Sequence, residues 1–213
     1  MMEIISKKYD NLCNTKSDIH EHLPVLSKYA SQCNSAIECG VRRCVSCWAL
    51  LHGLLSGAAA THPTKKRLLL NDIEPCEISE IVCAAAAIST EDIQIDHKWC
   101  PDVDLPIQQG EYDLVFIDTW HVYGLLKREL KKFGKIINKY IIMHDTTVDG
   151  IHSESVRNKH DLEKKMRDFN YTYEEVTIGL ERAIDEFLIE NPEWKLVEKL
   201  TNNNGLTVLE RRA

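Results

Sequence analysis

Four ionisable side chains stand where two apolar runs stop. In YDLVFIDTWH the run from Tyr112 to Ile117, broken only by Asp113, ends at Asp118 with His121 three residues on. In YIIMHDTT the run from Tyr140 ends at His144 and Asp145. A carboxylate beside an imidazole suits proton transfer, because histidine is the side chain whose ordinary pKa lies near neutral. If the two runs are neighbouring strands, Asp118, His121, His144 and Asp145 meet in one crevice.

The surrounding pattern says how they are positioned. A near-continuous apolar run predicts a strand buried on both faces of a parallel sheet. After Asp118 and His121 a helical pattern, Leu125, Leu126, Leu130 and Phe133, closes at Gly134. Open α/β sheets bind ligands at such carboxyl strand ends. Asp118 or His121 capping that helix is the bland alternative.

Two earlier strand ends fit the same frame. The strand Ser35–Cys39 stops at Gly40, and a helix with Val45, Trp48, Ala49 and Leu55 follows, a turn that brings backbone N–H groups near a ligand. Leu68 to Leu70 stops at Asn71, Asp72 and Glu74. A carboxylate there is placed to accept hydrogen bonds from ribose hydroxyls, or to cap the next helix. Asp72 lies 32 residues after Gly40 (72 − 40), so the connection is long or carries the insertion GAAATHPTKK.

The 213 residues fit one sizeable core, and the net charge of −7 argues against a general nucleic-acid or anionic-membrane surface. No apolar run reaches the roughly 20 residues of a membrane span. The opening MMEIISKKYD lacks a secretory core, and its doubled methionine suggests a piece of a longer polypeptide. The eight cysteines include one C-x-x-C, Cys44 and Cys47, without a second ligand pair. Both are read as small hydrophobes on the helix beside Trp48, in a reducing, cytoplasmic compartment.

Residues 1–34 form an N-terminal segment: 1–16 are polar and set no element, and Ser17 and Asp18 cap a helix through Leu23, Leu26 and Tyr29 to about Gln32, with Pro24 in its first turn. A helix over Glu77–Ile88, a short strand at Ile93–Ile95 and a loop from Asp96 to Gly110 follow. Residues 148–176 are highly charged and read equally as a mobile lid or a solvated helical insertion. An amphipathic helix over Gly179–Ile189 and two alternating strands around Asn202–Gly205 end the chain. The lysines and Arg128 of residues 127–135 read as solvated surface. Trp120 and Tyr123 are acceptor-stacking aromatics or core.

Alternating strands and helices predict a parallel sheet with helices on both faces, an α/β Rossmann-like domain over residues 35–213. The terminal antiparallel hairpin resembles the layout of class I S-adenosylmethionine-dependent methyltransferases. The stretches IECGVRRCVSCWALL, NDIEP, YDLVFIDTWHVYGLLKREL, YIIMHDTTVDG and EFLIENPEWKLVEKLTNNNGLTVL resemble methyltransferase domains of large DNA viruses. Those include the rhamnose O-methyltransferase domain attached to chlorovirus glycosyltransferases. More distantly, D-x-x-H followed by an acidic pair resembles macrolide-sugar O-methyltransferases and the cephalosporin hydroxylase family, which use a divalent metal.

The resemblance implies the rest. S-adenosyl-L-methionine is expected against Glu38, Cys39, Gly40, Val41, Arg42 and Ser46, with Asp72 on the ribose. Mg²⁺ or Mn²⁺ is expected on Asp118, His144 and Asp145, His144 standing where those relatives have an acid. His121, with Asp118, is expected to take the proton of a sugar hydroxyl on a deoxysugar such as rhamnose, packed on Trp120 and Tyr123. The implied partners are a glycan acceptor and a glycosyltransferase domain in the same polypeptide, in the host cytoplasm if the chain is viral. Two other readings stay open: metal-dependent methylation of a non-sugar acceptor, and a non-catalytic cofactor-binding module, favoured by Cys44 near where methyltransferases keep a small residue.

Overall fold

A computed structural model describes residues 2–57, 65–88 and 92–212, so most of the insertion within Gly57–Lys66 lies outside the described residues. The chain opens on α1 (Met2–Cys13) and α2 (Leu23–Ala30). The first was not expected: its one fully buried apolar anchor, Ile5, is too little periodicity to read amid charge. Ser17 and Asp18 do not cap α2; a single 3₁₀ turn, His20–His22, leads into it, and Pro24 sits in the first turn, where its missing N–H costs nothing.

Next come β1 (Ser35–Cys39), α3 (Val45–Ser56), β2 (Lys66–Asp72), α4 (Ser79–Ile88) and β3 (Ile93–Trp99). β3 is longer than expected, because Lys66 to Asp72 pair with Ile93 to Trp99 along its whole length. Cys44 is not on the helix: it stands at the N-cap of α3 in the left-handed region, φ 55°. β4 (Tyr112–Ile117) and α5 (Tyr123–Ile136) follow, then β5 (Ile137–His144). α5 runs past Gly134, whose bare Cα admits the ring of Phe187. Three short helices, α6 (Glu154–Arg157), α7 (Leu162–Phe169) and α8 (Tyr173–Thr177), precede α9 (Leu180–Glu190) and the hairpin β6 (Trp194–Leu200) and β7 (Leu206–Arg211).

The seven strands lie in the order β3-β2-β1-β4-β5-β7-β6. β3, β2, β1, β4 and β5 are parallel, and β7 runs antiparallel to β5 and β6. Alternate side chains serve opposite faces. Ala36, Leu114, Phe116 and Ile142 pack with Leu26, Leu51 and Leu54 on the α2–α3 side. Ile37, Val115 and Ile117 pack with Leu126, Leu130, Ile184 and Phe187 on the α5–α9 side. Both faces of β1 and β4 are therefore sealed, and the chemistry is confined to the strand ends.

Strand order reverses between β1 and β4, since β1 leads outward through β2 to β3 while β4 leads the other way. The register aligns the ends: Cys39 pairs with Asn71 and Ile117, and Ile117 with Met143. Gly40, Asp72, Asp118 and His144 thus follow in one row along the carboxyl edge.

Candidate functional site

Gly40 turns out of β1 at φ 91°, conditions a side chain tolerates poorly. Its N–H donates to the Asn71 carbonyl (2.9 Å), and the Asp118 N–H donates to the Cys39 carbonyl (2.9 Å), which locks the first and fourth strand ends together. Asp72 is held at the end of β2 by two backbone donors, Arg42 N–H at 3.0 Å and Glu74 N–H at 3.2 Å. It does not cap α4, which starts only at Ser79.

Behind this turn Glu38 is fully buried and accepts from the Ser46 hydroxyl, while its Oε2 has no partner among the described residues. Burial pushes its pKa up to about 7. Ser46 is accordingly spent on Glu38. Cys39 and Val41 are buried as well, Cys39 in the core on the α5 side, so its backbone rather than its thiol lies at the Gly40 turn. The Arg42 guanidinium turns to Asp18 at 3.3 Å.

The second half of the row is a histidine among carboxylates. His121 Nε2 lies 3.2 Å from Asp118 Oδ1. His121 Nδ1 lies 3.1 Å from Asp145 Oδ2, 3.2 Å from Asp149 Oδ2 and 3.6 Å from Glu154 Oε2. Burial disfavours a charged imidazole, but hydrogen bonds to Asp118 and Asp149 and the charge of Asp145 outweigh it and lift His121 to about 10. His144 Nδ1 is 3.5 Å from Asp118 and 3.6 Å from Asp145, which likewise outweigh burial and lift it to about 9. Asp118, although burial opposes its charge, is held far below the usual carboxylate range by the two imidazoles. α5 begins after Val122 with no side-chain cap, so neither Asp118 nor His121 is spent on the helix.

Asp145 leaves β5 in the left-handed region, φ 56°, which swings its carboxylate toward His121. Aspartate tolerates that conformation better than most residues. The chain then folds back over the cluster. Asp149 is fully buried, Glu154 N–H donates to the His121 carbonyl (3.0 Å), and Glu154 Oε2 accepts from the His121 N–H (3.3 Å). Asp149, Glu154 and Arg157 were not singled out by the sequence. They sit in a charged stretch without periodicity, where one acid looks like another.

Trp120 and Tyr123 part company. The Trp120 indole donates to Ser155 Oγ (3.1 Å) and packs against Phe169 and Tyr171, on the segment that covers the site. Tyr123 does not reach the site: it is buried, and its hydroxyl donates to Glu186 on α9 (2.7 Å). Lys127, Arg128, Lys131 and Lys135 are exposed, in line with the solvated-surface reading; Lys132 is the half-buried one, donating to the carbonyls of Asp102 and Val103.

The donor set fits a divalent cation. One ligand atom each from Asp118, His121 and Asp145 lie within 4.8 Å of one another. Asp145 Oδ1 and His144 Nδ1 are buried with no hydrogen-bond partner among the described residues. Hard carboxylate oxygens with one imidazole suit Mg²⁺ or Mn²⁺. His121 meets these acids with a different nitrogen for each, Nε2 to Asp118 and Nδ1 to Asp145, whereas the expected His144 brings one nitrogen, Nδ1, within 3.6 Å of both, so either imidazole can complete the set.

No protein-family model matches the chain, and no curated protein matches it. Solved structures do resemble it. The S-adenosylhomocysteine-bound methyltransferase PaMTH1 of Podospora anserina superposes with a TM-score of 0.56 at 15% identity, over 98% of this chain and 88% of that one. The O-methyltransferase TomG of Streptomyces achromogenes, involved in tomaymycin synthesis and solved with S-adenosylmethionine, gives 0.54 at 14%, over 100% and 89%. Magnesium protoporphyrin IX methyltransferase of Synechocystis, with bound S-adenosylhomocysteine, gives 0.55 at 12%, over 97% and 93%. The fold is that of the methyltransferases. It matches the expected Rossmann-like sheet with its terminal antiparallel pair, at identities that speak for the fold alone.

Proposed function

We propose that this chain is an S-adenosylmethionine-dependent O-methyltransferase acting on a sugar hydroxyl, of the kind that modifies viral glycans. The observation that carries the reading is the single row of strand ends, which sets the Gly40 turn and Asp72 beside His121 in its carboxylate cage. Solved structures of the same fold hold S-adenosylmethionine or its demethylated product. The Gly40 turn and Glu38 face the methionine end, and Asp72, aimed by Arg42 and Glu74, takes the ribose.

The cofactor supplies an electrophilic methyl group; a divalent cation, when bound, supplies a Lewis acid that orients acceptor oxygens and lowers a hydroxyl pKa. Asp118 and Asp145 would hold the cation, with His144 as third ligand and His121 as base. His121 would take the proton of the acceptor hydroxyl that receives the methyl group from the cofactor's sulfur. A protonated imidazole cannot do this, and two of the three acids that keep it protonated, Asp118 and Asp145, are the ones that would bind the cation, so the base role needs their charge offset. A second reading has an observation of its own: the convergence of donors on His121 makes it a ligand, and the proton then leaves by another group. Trp120, with Phe169 beside it, offers the face on which a sugar ring packs. A glycosyltransferase domain of the same polypeptide is the partner this reading implies.

The test is methyl transfer to a panel of deoxysugar glycosides and catechols, with and without Mg²⁺ or Mn²⁺, beside calorimetry with S-adenosylmethionine. Transfer to the glycosides supports the reading. Transfer to catechols alone makes the acceptor a non-sugar, and no cofactor binding leaves a non-catalytic module.

A further inference from the structure

Arg157 is the basic side chain of α6, and it is aimed inward. Its Nε donates to Asp149 Oδ1 at 2.7 Å and its Nη2 to Asp149 Oδ2 at 2.8 Å, a two-pronged pairing that fixes the plane of the carboxylate. Asp149 has no solvent exposure, and its Oδ2 also meets His121 Nδ1 at 3.2 Å with hydrogen-bond geometry. The backbone holds both ends of this chain of contacts. Asp149 N–H donates to the Asp145 carbonyl (3.0 Å), the Asp149 carbonyl accepts from Leu180 (2.9 Å), and Arg157 N–H donates to the Ser153 carbonyl (3.0 Å). Ser153 caps α6 and is itself buried.

We infer that Asp149 and Arg157 are positioning residues for His121: Arg157 fixes the Asp149 carboxylate, and Asp149 fixes the imidazole with Nδ1–H bonded and Nε2 turned toward Asp118. The inference rests on the proposed role of His121, and it holds whether His121 is base or ligand, because a carboxylate behind an imidazole orients it in either case. Arg157 already neutralises Asp149, so what Asp149 contributes is direction more than charge. This also gives the segment after β5 a task. It carries the part that holds His121 still.

Asn at 149 would present an amide NH₂ as readily as an oxygen, and so would release or reverse the ring. Ala at 157 would leave a buried carboxylate with one partner fewer, while removing only a half-exposed side chain.

The experiment uses the full chain as wild type, Asp149→Asn, Arg157→Ala and Arg157→Lys. One arm follows the histidine ring signals by NMR with ¹⁵N-histidine, metal-free, the His121 signal being assigned by its loss in His121→Gln. The other measures kcat and acceptor KM, with S-adenosylmethionine affinity and Tm as controls. The expected result is an exchange-protected Nδ1–H on His121 in the wild type, lost in Asp149→Asn and Arg157→Ala. With it, kcat falls about 10–100-fold, the usual cost of removing such a partner, while KM and cofactor affinity hold, and Arg157→Lys recovers part of the loss. An unprotected Nδ1–H in the wild type, or protection that survives both substitutions, overturns the inference. So does unchanged kcat in both variants. Should the wild type methylate no acceptor, the functional reading fails and the NMR arm alone decides this one.

Discussion

Gly40 and Asp118 share one patch of space: the place a Cβ on Gly40 would take is filled by the Asp118 carbonyl oxygen. The Gly40 turn and the end of β4 are therefore one construction, joined by the Asp118-to-Cys39 hydrogen bond. Gly40→Ala meets both that clash and a φ of 91°. The backbone conformation alone costs about 1–3 kcal/mol, so a urea melt is expected to show at least that loss, with weakened S-adenosylmethionine binding. Wild-type stability and affinity would mean that the strand ends separate freely.

Asp72 tests the other side of the turn. Its two backbone donors leave oxygen lone pairs for ribose hydroxyls, and a charged hydrogen bond contributes about 1.5–3 kcal/mol. Asp72→Ala is expected to weaken S-adenosylmethionine binding by about 10- to 100-fold in calorimetry. Unchanged affinity would place the ribose elsewhere.

What was legible in the sequence follows from where the signal comes from. β1 and β4 are located to the residue, and β5 within a few, because strands sealed on both faces are largely apolar. Asp118, His121, His144 and Asp145 stood out as the ionisable residues that follow those runs. α1 did not, since one buried anchor, Ile5, leaves no stripe. Asp149, Glu154 and Arg157 were equally silent: their roles come from the chain folding back onto His121, a long-range event with no local pattern. Tyr123 was misplaced because a residue beside a site in sequence can face the opposite side of its helix. The left-handed backbone at Cys44 and Asp145 likewise shows only in three dimensions.

Glu38 sets a pH dependence with a definite sign. Its carboxyl titrates near 4.3 in an unfolded chain and near 7 when buried here. Between those values the unfolded chain has released the proton that the native state keeps, so stability falls as pH rises through that window, by on the order of 3 kcal/mol. Glu38→Gln removes this slope. Chemical denaturation of both proteins from pH 5 to 8 is expected to show the wild type losing ground relative to the variant. Parallel curves would mean that Glu38 is already ionised in the native state.

Metal binding has a readout apart from turnover. Mn²⁺ titrated into the chain is expected to lose its free-ion EPR signal, and Asp118→Asn or Asp145→Asn to restore it. Chelation is expected to stop methyl transfer while S-adenosylmethionine binding stays intact, and Mg²⁺ or Mn²⁺ to restore activity. His144→Ala and His121→Ala in the same titration decide which imidazole is the third ligand. Full turnover in chelator would remove the metal from the reaction.

His121 is the residue on which stability and chemistry make separate demands. Metal-free, its imidazolium lies among Asp118, Asp145, Asp149 and Glu154, and His121→Ala leaves these acids facing one another. Breaking a buried ion pair costs about 3–5 kcal/mol, so the variant is expected to melt well below the wild type near neutral pH. The sign follows from its raised pKa: the contribution is fully present below about 6.5 and lost as pH rises through about 10. The gap between wild type and variant should therefore narrow from pH 7 to 10. The chemical demand is read with metal and cofactor bound. Loss of a general base lowers kcat by about 10²–10⁴-fold, against little change in cofactor affinity. If His121→Ala keeps wild-type kcat, the proton leaves by another route and the imidazole is there to hold the cage together.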